Sequence, residues 1–448
     1  MMRGTRAFLI AGALAVSGRF ALGCATSQDT NEIEPPNLGG NDDASVPPGP
    51  VDWETPSDAG TSDGDASLDA ATPTCSADGW CYTTLPASDS YDASAITSQT
   101  TGLTYGLRGV WVAPDHRVWA VSSYGHVLLW DGTSWAVKAV FGTPLRSVWG
   151  SSATEIWVAG ERGLIMCGTV TGSEVTFVRA TFTTNTTQTM IRVAGTSATD
   201  VWAIADGVNS SSNTNRVWRL NPGSDPPSFS PTTVPSTLPG PSPSLRIAAL
   251  WTAQSDFWIA GYETTCFGPS PCTFMNDHFL MRWAPSEDGG LSWEQMPFDR
   301  GNDKKLLAGT TSSDGVHLFV LEGYGTHDAV AYRLSTDKTK LDAGADETGD
   351  SGIHDEGAYA WTKEQVDTGY GQGTDMWASD RNDVWMVGKL GLVRHFDGTS
   401  WKLVRTSLTS VTPLLKDLYD IDGVVDPSGE QDLWIVGDDV AIHRKSKR

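Results

Sequence analysis

Three basic residues recur at one position of a repeated pattern. Arg108 and Arg146 each stand three residues ahead of a tryptophan, Trp111 and Trp149, and Lys416 stands three ahead of Tyr419. Arg192 and Arg246 fall within a couple of positions of the same place in other copies. Cations gathered around one opening bind carboxylate, sulfate or phosphate, and a planar guanidinium holds such groups bidentately. Arg108, Arg146, Arg246 and Lys416 are therefore the candidate ligand-binding residues, for an anionic group. The structural alternative is that each cation pairs with an acid of a neighbouring repeat.

Other chemistry finds less support. Glu155, Asp200, Asp256, Asp383 and Asp432 all stand just before an apolar-Trp strand. A ring of carboxylates suggests catalysis, but repetition in nearly every copy favours acids that accept backbone N–H groups in their own turns. The eight histidines are scattered without metal-ligand spacing, so no metal is expected. There is no strand-turn-helix phosphate loop and no G-x-S-x-G elbow. Spacing alone identifies no carboxylate pair for glycoside hydrolysis. Neither a catalytic residue nor a cofactor is expected.

The elements that position these groups follow from a Trp-centred β pattern that returns seven times. One copy reads LRGVWVAPDHRVWAVSSYGHVLLWDGTSWAV from Leu107, and a late one TDMWASDRNDVWMVGKLGLVRHFDGTSWKLV from Thr374. Repeats of this length indicate arrays, solenoids or propellers. The second-strand aromatics are Trp119, Trp157, Trp202, Trp258, Phe319, Trp385 and Trp434. Asp131-Gly132 and Asp397-Gly398 mark tight hairpins, since Asp-Gly suits positive φ. The last copy stops after its third strand at VAIHRKSKR, while ADGWCYTTLP around Trp80 reads as an isolated fourth strand. One end can thus supply the strand missing at the other, which removes exposed edges. The expected fold is all-β: a seven-bladed propeller of four-stranded blades over residues 75–448, closed by an N-terminal strand. Three insertions, Asn221–Ser244, Tyr262–Asn276 and Ser335–Gly357, read as surface loops or disordered excursions between strands.

Ahead of the repeats, Arg3 and Arg6 precede the apolar run Ala7–Gly18, which is too short to span a bilayer. Residues 1–23 are the expected export signal. Residues 25–74 hold eleven acids and no Lys or Arg, so the stretch from Cys24 to residue 74 reads as an acidic disordered tether. The net charge is −23, which disfavours nucleic acid and anionic lipid headgroups as partners. Export permits disulfides. Cys75 with Cys81 and Cys266 with Cys272 are natural local pairs, and Cys167 is left as a small apolar residue.

Ala21-Leu22-Gly23-Cys24 resembles the bacterial lipobox. That resemblance implies cleavage before Cys24, its lipidation, and, with Ala25 next, the outer membrane. Ser286-Glu287-Asp288-Gly289-Gly290-Leu291-Ser292-Trp293 matches the Asp-box hairpin of sialidase-type propellers. The VWG…VWAVG…W-DGTSW repeat resembles the Trp-rich β-propeller lipoproteins of gliding and predatory soil bacteria. The resemblance implies surface location and binding. The expected function is a non-enzymatic binding or scaffold lipoprotein, monomeric, with a protein or anionic glycan of the cell envelope or extracellular matrix as partner. The alternative is an envelope glycan-acting enzyme using the channel face.

Overall fold

The structure is a computed structural model that describes residues 75–86, 105–184, 186–206, 216–235, 244–253, 256–267, 273–285, 290–296, 304–323, 328–337, 339, 341, 354–356, 359–367, 372–408 and 414–447. The export signal, the acidic tether and Cys24 lie outside the described residues, as does Asp288 of the Asp-box.

The apolar-Trp segments form strands because both of their faces are covered. Val118–Ser122 and Glu155–Gly160 are buried along their whole length, as near-continuous apolar runs between two layers should be. Each is the second strand of an antiparallel sheet, hydrogen-bonded to an inner strand on one side and a third strand on the other. Six sheets are each built from one consecutive stretch of chain. Their inner strands are Leu107–Val112, Leu145–Ser152, Met190–Ser197, Ser244–Ala253, Lys304–Thr311 and Gly373–Asp380. One more sheet is composite: Leu418–Val425, Glu430–Gly437 and Val440–Lys447 come from the C-terminal end, and Cys81–Tyr82 completes it from the other. We number the sheets by their inner strands, with the composite sheet as the seventh. Each inner strand contacts the next, and the inner strand of the composite sheet contacts Leu107–Val112, so the ring closes as an all-β propeller.

Two sheets carry five strands rather than the expected four. Thr181–Phe182 runs on from the second sheet and pairs in parallel with Ser228–Thr232 of the third. His354–Glu356 forms the outer edge of the fifth sheet beside Tyr359–Asp367. Both additions involve segments read as loops, and so does a third difference. The stretch Tyr262–Asn276 is not a simple surface loop: Asp256–Phe267 and Thr273–Pro285 pair in register out to Phe267 and Thr273. Pro, Ser and Gly hid the two added outer strands, which need only partial burial and whose side chains can be polar.

Neighbouring sheets are keyed together by tryptophan on glycine. A Cβ on Gly150 would lie 2.2 Å from the ring of Trp111, and one on Gly309 would lie 2.4 Å from Trp251. The inner-strand Trp of one sheet therefore occupies the space that a side chain on the next would need.

Closure is carried by few residues. Cys81 pairs with His443 and Tyr82 with Ile442. Thr83 N–H donates to the Ala441 carbonyl at 3.0 Å. Trp80 is fully buried and lies edge-on to Trp385 at 5.5 Å. A Cys75–Cys81 disulfide ties this segment into a small loop.

Candidate functional site

In every inner strand the pairing slips by one residue at the same place. The residues skipped are Arg108, Arg146, Ile191, Ala248, Leu307, Thr374 and Tyr419. Such bulges re-aim side chains and occur at barrel rims. The glycine that ends several second strands permits the slip. A Cβ on Gly160, Gly261, Gly388 or Gly437 would meet the carbonyl of Pro144, Arg246, Gln372 or Asp417 within 2.3 Å. Six of the seven bulge residues line one cavity of about 460 Å3 at a channel mouth: Arg108, Arg146, Ile191, Ala248, Thr374 and Tyr419.

The cavity brings together three of the four expected cations and excludes the fourth. Arg108, Arg146 and Arg246 line it, as do Arg192 and Lys389. Lys416 precedes its inner strand, lies outside the cavity and faces Asp439 at 3.6 Å. Strand register puts Tyr419, not Lys416, opposite the slot held by Arg108: Leu107 and Leu418 both open the pairing. Counting back from Tyr419 as though it were the inner-strand Trp displaced the expectation by three residues. Lys389 was missed because it belongs to the turn after a second strand.

The arginines differ in how far they are already satisfied. The guanidinium of Arg108 stacks 3.6 Å over the Tyr419 ring and approaches Asp438 at 3.5 Å. Arg146 donates to Glu161 at 2.5 Å. Arg192 reaches across the channel, donating to Asp375 at 2.6 Å and Asp420 at 2.7 Å, on the sixth and seventh sheets. Arg246 makes no ion pair among the described residues. It lies close enough to Arg216 to help lower that residue's pKa, an effect led by burial and opposed by Asp206.

Directly below the bulge ring, side chains replace the hydrogen bonds that inner strands of different sheets cannot make. Ser147 Oγ accepts from Val193 N–H at 3.1 Å, Asp375 from Ile421 N–H at 3.4 Å, and Asp420 from Val110 N–H at 2.8 Å. Asp422 accepts from Val112 N–H at 2.7 Å. Burial holds the Asp375 carboxyl above the usual carboxylate range, against the opposing charge of Arg192. Burial likewise pushes Asp422 up to about 7, only partly offset by the backbone N–H groups of Val112 and Gly423. For Arg192, burial works against the charged form, but Asp375 and Asp420 outweigh it and raise its pKa. The Arg192 strut forms the floor of the cavity.

The repeated acids hold indoles rather than their own turns. Glu155, Asp200, Asp383 and Asp432 each accept from the indole N–H two residues on, Trp157, Trp202, Trp385 and Trp434, all at 3.0 Å. Residues i and i+2 share a face of a strand, so the acid meets the ring of its own repeat. Asp256 takes Arg282 at 2.7 Å. Backbone capping by Asp does occur in the hairpins: Asp131 accepts from Thr133 and Ser134 N–H at 2.9 Å.

The cysteine expectations divide. Cys75–Cys81 is formed. Cys272 and the side chain of Cys266 lie outside the described residues. Cys167 is fully buried, yet it is disulfide-bonded and not the free apolar residue expected.

No known family profile matches this chain. No curated protein matches it in sequence. Solved propellers do resemble it in shape. A structure of YCF48 bound to D1 peptide is 12% identical, with a TM-score of 0.52, covering 84% of this chain and 99% of that one. YCF48 from Cyanidioschyzon merolae is 15% identical, with a TM-score of 0.53, covering 82% and 98%. At these identities the likeness concerns the fold.

Proposed function

We propose that this chain is an exported seven-bladed propeller, lipid-anchored at Cys24, that binds rather than catalyses. Its channel mouth takes an anionic segment of an envelope partner, protein or glycan. The observation that carries the reading is the cavity in which Arg108, Arg146 and Arg246 converge on an otherwise strongly acidic protein. That a propeller of similar shape holds a peptide supports protein binding generally. The pairs at Arg108 and Arg146 are partly exposed. Such pairs are worth little in water, so an incoming carboxylate can replace the acid of each pair.

The test uses hexaglutamate and a tetragalacturonate as probes. Arg108→Gln with Arg146→Gln is expected to weaken binding about tenfold, or ~1.4 kcal/mol, with the melting temperature nearly unchanged. Raising salt from 50 to 500 mM should weaken wild-type binding as the rim charges are screened. A double variant that binds normally but melts much lower would mean that these arginines only hold sheets together.

The anchor is tested separately. Each buried acyl methylene contributes roughly 0.8 kcal/mol, so several chains fix a protein to a membrane. Cys24→Ser is expected to move the protein to the soluble fraction or to leave it unprocessed. A wild-type protein found soluble in the periplasm would dispose of the anchor.

A further inference from the structure

The cavity wall is not uniform around the ring. The sixth, seventh, first and second sheets present Thr374, Asp375, Tyr419, Arg108 and Arg146. The third, fourth and fifth present Ile191, Ile247, Ala248, Ala249 and Ala308, an aliphatic arc interrupted by Arg192, Asp206 and Tyr262. Arg246 stands within that arc, on the same inner strand as Ile247, Ala248 and Ala249. Its backbone is fixed, since its carbonyl fills the space above Gly261. Arg108, Arg146 and Arg192 already have carboxylates, whereas Arg246 has none among the described residues. The floor is closed by the Arg192 strut, so the cavity suits a small molecule or a chain end. Its volume lies within the range of small-molecule sites.

Resting on the anion-binding reading above, we propose that Arg246 is the anchor of a subsite for an aliphatic carboxylate. The carboxylate pairs with the Arg246 guanidinium, and the aliphatic body lies along Ile191, Ile247, Ala248, Ala249 and Ala308. A half-buried guanidinium without an ion-pair partner favours a bidentate anion, and the adjacent aliphatic residues gain from covering by methylenes. The same chemistry is offered by a free aliphatic acid and by the carboxy-terminal residue of a chain with an aliphatic side chain.

Calorimetric titration of the full-length mature protein separates the cases. The probes are octanoate, octanamide, acetate, N-acetyl-alanyl-leucine and its amide. Octanoate is expected to bind at least tenfold more tightly than octanamide and than acetate. Arg246→Gln should remove at least nine-tenths of the octanoate affinity, and Arg246→Lys should restore part of it. Lys402→Gln, at an exposed cation outside the cavity, should leave it within about twofold. The relative affinities of octanoate and N-acetyl-alanyl-leucine show whether a free acid or a chain end is preferred, and preference for either supports the subsite. Equal binding of octanoate and octanamide, or of octanoate and acetate, overturns it, as does an Arg246→Gln protein that binds octanoate normally. If hexaglutamate binds while octanoate does not, the subsite is refuted and the anionic mouth stands. If neither probe binds, both readings fall.

Discussion

Removing residues 75–86 is expected to destroy the thermal stability of the fold or to drive the protein into aggregates. The deletion strips the partner from Val440–Lys447 and leaves that strand as an open edge, a template for pairing with other chains. It also takes away Trp80, fully buried against Trp385. Truncating a buried aromatic to Ala costs about 3–5 kcal/mol, and Trp80→Ala alone should lower the melting temperature by several degrees. Deleting residues 25–70, by contrast, should leave the melting temperature within error, because that acidic stretch has little apolar surface to bury. Size-exclusion profiles and circular dichroism melts of the two deletions decide the matter. Equal tolerance of both would refute closure by the N-terminal strand.

Replacing Arg192 by Met is the second large effect expected. The change leaves Asp375 and Asp420, 4% and 6% exposed at their side chains, without their shared cation. Breaking a buried pair from one side costs about 3–5 kcal/mol. The loss should also depend on pH. Asp375 and Asp422 have carboxyls raised by burial, and Arg192 opposes the rise in both. An acid whose folded pKa lies above its unfolded value binds more protons when folded. Stability therefore falls as pH rises from the unfolded value, near 4, through the folded one. Without Arg192 both folded values climb further and that window widens. The variant should melt closest to wild type at pH 4 and furthest below it at pH 8. Adding Asp375→Asn and Asp420→Asn should recover much of the difference at pH 8. An Arg192→Met protein that melts like wild type at pH 8 would show that the strut carries no such burden.

The repeat was the most legible part of this chain. Every second-strand aromatic named from periodicity, from Trp119 to Trp434, lies on a second strand, because one packing environment recurs around the ring. The closing strand was legible for a similar reason: a count of strands left one short at one end and one over at the other. The site was less so. Arg108 and Arg146 share a slot in sequence and in space, but Arg192 sits one residue past the bulge and turns its charge inward. Its partners lie 183 and 228 residues away, a distance no local pattern bridges. Lys416 looked equivalent only because Tyr419 was equated with Trp111. The glycines that close WVAG, WIAG, WMVG and WIVG were visible throughout. Read as room for a carbonyl, they mark the bulge and would have set the slot correctly.

The disulfide at the closing strand alters how the molecule bears mechanical load. A pull arriving from the N-terminal side reaches Cys75 and passes through the covalent bond directly to Cys81. Residues 76–80 are thereby slack, and Trp80 is not drawn out ahead of the ladder. The force falls on Cys81 and Tyr82 against His443 and Ile442, which makes the last strand of the chain the first to feel tension on its beginning. With the bond reduced, the loop would straighten, the load would reach Trp80 before the ladder, and the propeller would open by extraction of a single ring.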